Sequence, residues 1–174
     1  MLTDIAKQQL RKAGWYEGRK IDLSKYEEAY AEVGCKLFPA ARKFLEEYGD
    51  LDIQDKYIST ATYENGDHFI VINRSLIDVA YCCYPRDLEL EKMVDELFHQ
   101  KILRVGAIDH GNIDIYISED GRFFVNWYFD GLWAENSDQL WNEYYGEEYG
   151  RASWEDLKAG KGRTMFKKKV KKYL

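Results

Sequence analysis

The chain has 174 residues and a formal net charge of −6 at pH 7, and its 45% hydrophobic and 32% charged residues are typical of a soluble globular protein. With 16% aromatic residues and only 2 prolines, the composition excludes collagen-like, fibrous and intrinsically disordered chains. This length suits one domain, and we expect residues 1–174 to form a single one.

Nothing in the sequence predicts a membrane segment or a secretory signal. No apolar run approaches the roughly 18 residues that are needed to span a bilayer, and residues 1–5 lack the basic and apolar regions of a signal peptide. Cys35, Cys82 and Cys83 are odd in number and lack CxxC spacing, which disfavours a disulfide scaffold or a zinc ribbon. We therefore expect a protein of the reducing cytoplasm that does not bind membranes.

The N-terminal third of the chain predicts three short helices. Thr3 is placed to cap a helix that runs to about Ala13. A second helix opens at Ser24 in a Ser-x-x-Glu pattern that is typical of a capping box, and Gly34 closes it. The third helix covers residues 39–48 and begins with a proline, which suits a first helical turn.

The middle of the chain changes to the alternating pattern of a β-sheet. β-Branched and aromatic residues at positions 57–63 and 68–73 flank an Asn-Gly turn, which predicts a hairpin. Residues 75–84 are apolar enough for either a strand or a short buried helix. Asp87 then looks like the cap of a helix that ends near Gln100.

The remaining elements complete a mixed pattern. Residues 102–108 predict a strand, and residues 113–118 and 122–128 predict a second hairpin around an Asp-Gly turn. Ser137 is placed to cap a helix that ends near Tyr145. The fold class that follows is α+β, an antiparallel β-sheet wrapped by helices, with an N-terminal helical segment.

Charge is unevenly distributed. Residues 1–160 hold 18 basic and 31 acidic groups, a formal charge of −13, whereas residues 161–174 contain no acid and seven basic residues: Lys161, Arg163, Lys167, Lys168, Lys169, Lys171 and Lys172. In this basic tail Phe166, Val170 and Leu174 recur every four positions, which predicts an amphipathic terminal helix. One interpretation of the tail is phosphate binding. We favour an intramolecular partner for the acidic body or a solubilising end.

No recognisable catalytic, cofactor or metal motif is present. His68, His99 and His110 are the only histidines, and none lies at metal-ligand spacing from another or from a cysteine. GxSxG, P-loop, GxGxxG and HExxH patterns are all missing. We therefore predict no enzyme, no catalytic residue, no cofactor and no metal. A small hydrolase or transferase that uses His99 or His110 stays an alternative.

Acidic residues concentrate in two regions. The first covers residues 27–55, and the second, residues 130–148, interleaves acids with tyrosine and tryptophan. A solvated charged face explains such a pattern by default. The sharper interpretation is a surface that attracts and covers a basic partner, such as the substrate cleft of a nuclease. Trp133 lies in a polar stretch, and we expect it to be exposed as an interface anchor.

Four local patterns stand in order along the chain. They are LRKAGWYEGR at residues 10–19, ARKFLEEYGDL at 41–51, LRVG at 103–106 and IYISEDGRF at 115–123. Together they resemble the third group of the SUKH superfamily of bacterial immunity proteins. The second pattern departs from the family at Asp50, where a second glycine is common, and the third has Arg104 and Val105 in place of commoner residues.

This resemblance implies a cytoplasmic α+β domain that binds and neutralises a cognate toxin domain, often a nuclease or nucleic-acid deaminase of a polymorphic toxin or contact-dependent inhibition system. Family members are not enzymes, and their toxin-binding surfaces vary. We place the surface in the second acidic region, on Asp130, Trp133, Glu135, Asp138 and Glu143, with no direct contact to nucleic acid.

Two other binding functions stay open. A regulatory or scaffolding member of the same superfamily would bind a housekeeping partner instead of a toxin, and gene neighbourhood separates the two. A nucleic-acid binder would use the basic tail, although the charge of −13 on residues 1–160 opposes it.

Overall fold

The fold is built on one antiparallel β-sheet with helices on both faces, which confirms the expected α+β class. The computed structural model describes residues 1–83, 86–126, 131–169 and 171–174. In these ranges the strands are β1 (Leu51–Thr62), β2 (His68–Ile77), β3 (Ile102–Ile108), β4 (Ile113–Ser118), β5 (Phe123–Asn126), β6 (Gly131–Ala134), β7 (Glu148–Ser153), β8 (Thr164–Lys167) and β9 (Lys172–Tyr173). The helices are α1 (Asp4–Lys12), α2 (Ser24–Glu32), α3 (Pro39–Tyr48), α4 (Val79–Cys82), α5 (Leu88–Phe98), α6 (Ser137–Tyr145) and α7 (Trp154–Lys158), with a 3₁₀ turn at Asp109–Gly111.

Two of the four predicted capping residues are confirmed, and the other two are corrected. The Thr3 hydroxyl accepts from the Ala6 amide, and the Asp87 carboxylate accepts from Leu90, as expected. The capping box at Ser24 is wrong, because Leu23 is the cap of α2 and makes no side-chain bond. At α6 the cap is Asn136 rather than Ser137. Within the described ranges, no helix has the length and apolar character needed to cross a membrane.

The ambiguous segment at residues 75–84 contains both of the alternatives. β2 continues to its end at Ile77, and α4 follows directly, capped by the Asp78 carboxylate. β1 and β2 pair along most of their length around the predicted Asn-Gly turn. The second predicted hairpin is present as β4 and β5, and residues 127 and 128, predicted as strand, lie outside the described residues.

The two faces of the sheet carry separate apolar cores. Because successive strand residues point to opposite faces, β4 sends Ile115 and Ile117 into one core and Tyr116 into the other. The larger core lies under the three N-terminal helices and α6, and the smaller one lies under α5 and α7. The sheet is therefore the middle layer of the fold.

The ends of the sheet show that it is strongly curled. The strand order is β8-β7-β6-β5-β4-β3-β2-β1-β9, so β8 and β9 lie at opposite edges. Only residues 168–171 join them, and a fully extended chain from Lys167 to Lys172 reaches about 18 Å. Nine flat strands at a spacing of about 4.8 Å would place the edges nearly 40 Å apart. The sheet must therefore curve until its two edges approach each other.

The predicted terminal helix is wrong, because the basic tail forms β8 and β9. Phe166 of β8 stacks on Tyr149 of β7 with ring centroids 5.4 Å apart, and Tyr173 of β9 pairs with Tyr57 of β1. Pairing at the two edges gives the backbone of the tail hydrogen-bond partners, whereas a helix would place like charges one turn apart. Val170, which the helix prediction used, lies outside the described residues.

We predict that Gly106→Ala destabilises the protein. A Cβ on Gly106 would lie 2.5 Å from Ile77 Cδ1 and 2.7 Å from the carbonyl oxygen of Leu76, so β2 and β3 must shift apart. Overpacking of this kind costs roughly 1–3 kcal/mol of unfolding free energy, measurable by urea denaturation. Gly162→Ala is the control, because no heavy atom lies within 4 Å of its Cβ position. Equal midpoints for the two variants would contradict this packing.

Candidate partner-binding surface

Helix α6 organises the region in which the sequence placed the binding residues. Its inner face is buried in the larger core through Leu140, Trp141 and Tyr145. Asn142 holds the chain terminus against its outer side, accepting from the Thr3 amide at 2.7 Å and donating to the carbonyl of Met1 at 3.0 Å. A different kind of surface lies at each end of the helix.

An acidic groove lies at the N-terminal end of α6. This cavity, of about 250 Å³, is formed by α3, the β4–β5 turn and the β6–α6 connection, and its acidic residues are Glu47, Asp120 and Glu135. Lys43 also lines it. Asp120 is paired with Arg122, whereas Glu135 is exposed. Negative charge is favoured here because the N-terminal end of a helix carries a partial positive charge.

The pattern at residues 10–19 positions Glu47 in this groove. Trp15 is buried and its indole N–H donates to Glu47 Oε1 at 3.1 Å. Arg19 donates to the backbone carbonyl of the same residue at 2.8 Å. The Ala-Gly-Trp and Gly-Arg pattern therefore acts as scaffold that holds the end of α3 against the groove.

Asp138 lies on the first turn of α6, beside the groove. Its side chain is 44% exposed and pairs with the amino group of Met1 at 2.7 Å. A surface pair of this kind contributes little to stability, so the carboxylate remains accessible to a partner. Among the members of the predicted set that the structure describes, Glu135 and Asp138 are thus the two that present carboxylates to solvent.

Trp133 is half-buried rather than exposed, and it lies toward the opposite end of α6. Its ring packs against Tyr144 with centroids 6.4 Å apart. It forms one wall of a cavity of about 190 Å³, the Trp133 pocket, lined by Ile108, Ile113, Val125, Trp133, Tyr149, Arg151 and Lys168. The structure therefore separates Trp133 from the acidic groove. Asp130, another member of the predicted set, lies outside the described residues.

Glu143 does not face a partner, which corrects the sequence-based placement. It is only 7% exposed; its Oε2 accepts from the Gly150 amide at 2.7 Å and from the Arg163 guanidinium. Arg163 also donates to the carbonyl of Gly150 at 3.0 Å. The sequence contained the signal, since Glu143 is three residues after Leu140 and shares the buried face of α6.

The basic tail is bound to the body at the C-terminal end of α6. The Lys168 ammonium donates to the backbone carbonyls of Glu143 and Tyr144, groups that a helix end leaves without partners. Burial, with the nearby charge of Lys171, lowers the pKa of Lys168 to about 8. For Arg163 and Lys168, the preferred interpretation of the tail as an intramolecular partner is therefore confirmed.

A buried carboxyl that sequence reasoning missed joins the tail to β1. Asp55 is 2% exposed, and the Tyr145 hydroxyl donates to its Oδ1 at 3.1 Å. Burial raises the pKa of Asp55. Tyr173 packs against the Tyr145 ring at 5.7 Å. The signal was again present, because Leu51, Ile53 and Asp55 alternate onto the same inner face of β1.

The residues considered for catalysis are not assembled into a site. His99 is the exposed left-handed cap of α5, and His110 Nε2 lies 2.9 Å from the carbonyl oxygen of Ile72. Burial raises the pKa of the Cys82 thiol, the opposite of an activated nucleophile. Across the described ranges, no three histidine, cysteine or acidic side chains are placed to hold a metal ion.

The curled sheet thus carries an acidic groove and an apolar pocket at the two ends of α6. A family model described as SUKH-3 immunity protein matches residues 3–145. The match covers most of the chain, which therefore belongs to the SUKH-3 immunity protein family. No curated protein and no solved structure matches it. Elements β7 to β9 and α7 lie beyond the matched residues.

We predict that Glu143→Ala destabilises the protein by about 3 kcal/mol or more, because it leaves the Arg163 guanidinium buried without its partner. Urea denaturation measures the change. Glu96→Ala is the control: Glu96 pairs with Lys92 at 3.7 Å on the exposed face of α5, where such pairs contribute little. A loss no larger than that of the control would show that the pair is not needed for folding.

We predict that Asp55→Asn changes the pH dependence of stability. A raised pKa means that the native state binds more protons than the unfolded state between the ordinary value of about 3.9 and the raised one. The Asp55 contribution to unfolding free energy therefore falls as pH rises through that interval. Asparagine does not ionise and still accepts from Tyr145. The unfolding free energy of the variant should therefore rise relative to that of the wild type from pH 4 to pH 7, as measured by urea titrations.

Asp52→Asn is the matched control for this titration, because the same strand carries it to the exposed face. Its hydrogen bond with Arg74 lowers the pKa of Asp52, so its contribution is present at neutral pH and is lost as pH falls. The Asp52 variant should thus lose stability relative to the wild type as pH rises through the interval below about pH 4, and the difference should change little from there to pH 7. If the unfolding free energy of both variants rises relative to the wild type from pH 4 to pH 7, the effect is not specific to Asp55, which would contradict the assignment.

Proposed function

We propose that this protein is a cytoplasmic antitoxin that binds a cognate toxin domain stoichiometrically and neutralises it, the toxin being a nuclease or a nucleic-acid deaminase. Membership of the SUKH-3 immunity protein family is the observation that carries the proposal. The proposed role is binding without catalysis, and it needs no cofactor, metal, membrane or direct nucleic-acid contact.

The distribution of charge supports a basic partner. Residues 1–160 carry a formal charge of −13, and a protein that acts on nucleic acid needs a positively charged cleft to hold phosphates. Complementary charge raises the association rate and disfavours wrong partners. With the seven basic residues of the tail included, the whole chain still carries a formal net charge of −6.

We place the binding surface along α6, on three residues of the set predicted from the sequence: Glu135, Asp138 and Trp133. Asp130, which was predicted from the sequence alone, is kept in the proposal. Glu47 of the acidic groove is added, since it lines the same cavity as Glu135. The nine residues of α6 span about 13 Å. Both ends of the helix therefore fit within one standard interface of about 1,600 Å² in total.

The reducing environment proposed here agrees with the state of the thiols. Cys35, Cys82 and Cys83 are all free, and Cys82 is buried. Free buried cysteine behaves as a small apolar side chain. The protein as described needs no oxidising compartment to complete its fold, which supports action inside the producing cell.

The test is calorimetric titration against the C-terminal domain of a large secreted protein encoded beside this gene, at low and high salt. We predict one-to-one binding that weakens with salt. The double variant Glu135→Lys, Asp138→Lys should raise Kd at least tenfold, mainly by lowering the association rate. The control is Glu89→Lys, Glu96→Lys on α5, which changes the net charge equally on the other face of the sheet.

Each result separates the alternatives. An equal loss of affinity in both double variants would show that overall charge is the cause. It would contradict the placement of the binding surface along α6. Tight binding that is indifferent to salt would keep the antitoxin function and assign its energy to aromatic contacts. No binding to a correctly folded neighbouring domain would contradict the antitoxin proposal and favour a housekeeping partner.

A further inference from the structure

The Trp133 pocket combines an apolar floor with a cationic rim. Ile108, Ile113 and Val125 come from three consecutive strands of the sheet, and Trp133 adds an aromatic wall. The cavity of about 190 Å³ is below the range of drug-sized ligand sites. It matches a single large apolar side chain.

The rim of this pocket reverses the charge of its surroundings. Lys168 and Arg151 both line it, on a protein whose residues 1–160 sum to −13. The Lys168 ammonium has three donors and uses two of them on the carbonyls of Glu143 and Tyr144. Its positive charge therefore lies beside the cavity, where it favours an acceptor on a bound partner.

The parts of the rim are held in place before any partner arrives. The Arg151 guanidinium lies over the Phe166 ring at 4.8 Å, and the Lys168 ammonium lies 5.5 Å from the ring centroid of Tyr149. The buried pair of Glu143 and Arg163 joins this part of β7 to α6. Groups that are already ordered lose little entropy on binding, which favours affinity.

We propose that the Trp133 pocket is the anchor site for one large apolar side chain of the toxin domain, carried on a segment with a carboxylate beside it. This proposal rests on the proposed function and adds to it the chemistry of the partner. The apolar residue fills the cavity, and the carboxylate accepts from Lys168 at the rim. Apolar anchors in desolvated pockets are the usual hot spots of protein interfaces.

The pocket and the acidic groove together describe a two-part partner surface. They lie at opposite ends of α6, which is about 13 Å long, so one toxin domain reaches both. The partner must then present basic groups toward Glu135 and an apolar residue with an acidic neighbour toward Trp133. This reversal of charge along one helix fixes the orientation of the bound toxin, because the opposite orientation places like charges together.

The first arm of the test fills the pocket. Val125→Phe places an aromatic ring on the cavity floor, and Ile70→Phe is the control, since Ile70 is 58% exposed on β2 and does not line the pocket. Binding to the C-terminal domain encoded beside the gene is measured by calorimetry. We expect Kd to rise about thirtyfold for Val125→Phe, as for a hot-spot loss, and to stay within about twofold for the control. Equal Kd values would overturn the proposal.

The second arm identifies what occupies the pocket. p-Benzoylphenylalanine is incorporated at Lys169, which is exposed and next to Lys168 in the chain, so that the pocket itself stays open. The complex is irradiated, and the cross-linked toxin peptide is sequenced by mass spectrometry. The expected peptide contains a large apolar residue next to aspartate or glutamate. A peptide whose residues beside the cross-link are basic, or a complex that yields no cross-link at this position, would overturn the assignment.

The two proposals fail in distinguishable ways. If the wild type binds the toxin domain and Val125→Phe binds it equally well, the antitoxin function stands and the pocket assignment is wrong. If the wild type does not bind, both proposals are contradicted. Circular dichroism of each variant shows whether a loss of binding comes from a loss of fold.

Discussion

The attachment of the C-terminal segment to α6 is the interaction on which the rest of the structure depends. Glu143 holds the Gly150 amide and Arg163, and Lys168 binds the last carbonyls of the helix. A buried ion pair gains little net stability because both charges lose water. Its effect is geometric: it directs the chain from β8 across the end of α6 to β9, and this path requires a sheet curled enough for its edges to approach.

The same attachment separates two kinds of charge along one helix. Carboxylates gather at the N-terminal end of α6 and cations at its C-terminal end, and each is favoured there by the helix dipole. The charges at the two ends of α6 stabilise the helix itself, and they also give the protein a surface that is negative at one end and positive at the other. Glu135 offers an accessible carboxylate, while Trp133 and Lys168 border an apolar cavity. A partner that complements only the acidic groove or only the Trp133 pocket would contact half of this surface.

Sequence reasoning mostly succeeded where the determining contacts are local, with the caps of α2 and α6 as exceptions, and it failed for the tail, whose contacts are distant. The caps at Thr3 and Asp87 and the two hairpin turns depend on bonds within a few residues, and all were predicted. The tail was predicted as a helix because its apolar residues recur every four positions. That period carries no information about the two sheet edges with which the tail pairs. Glu143 was placed on the surface although its helical position, three residues after Leu140, indicated the buried face.

By itself the sequence determined the α+β class, the family resemblance, the excess of acidic residues and the lack of a recognisable catalytic motif. These follow from composition, from period and from short-range hydrogen bonding, which are properties of neighbouring residues. Only the tertiary structure decided which carboxylates are accessible, that Asp55 is buried, and that Trp133 borders a pocket. Burial is a property of surfaces brought together from distant parts of the chain, here by a tail that joins the two edges of the sheet.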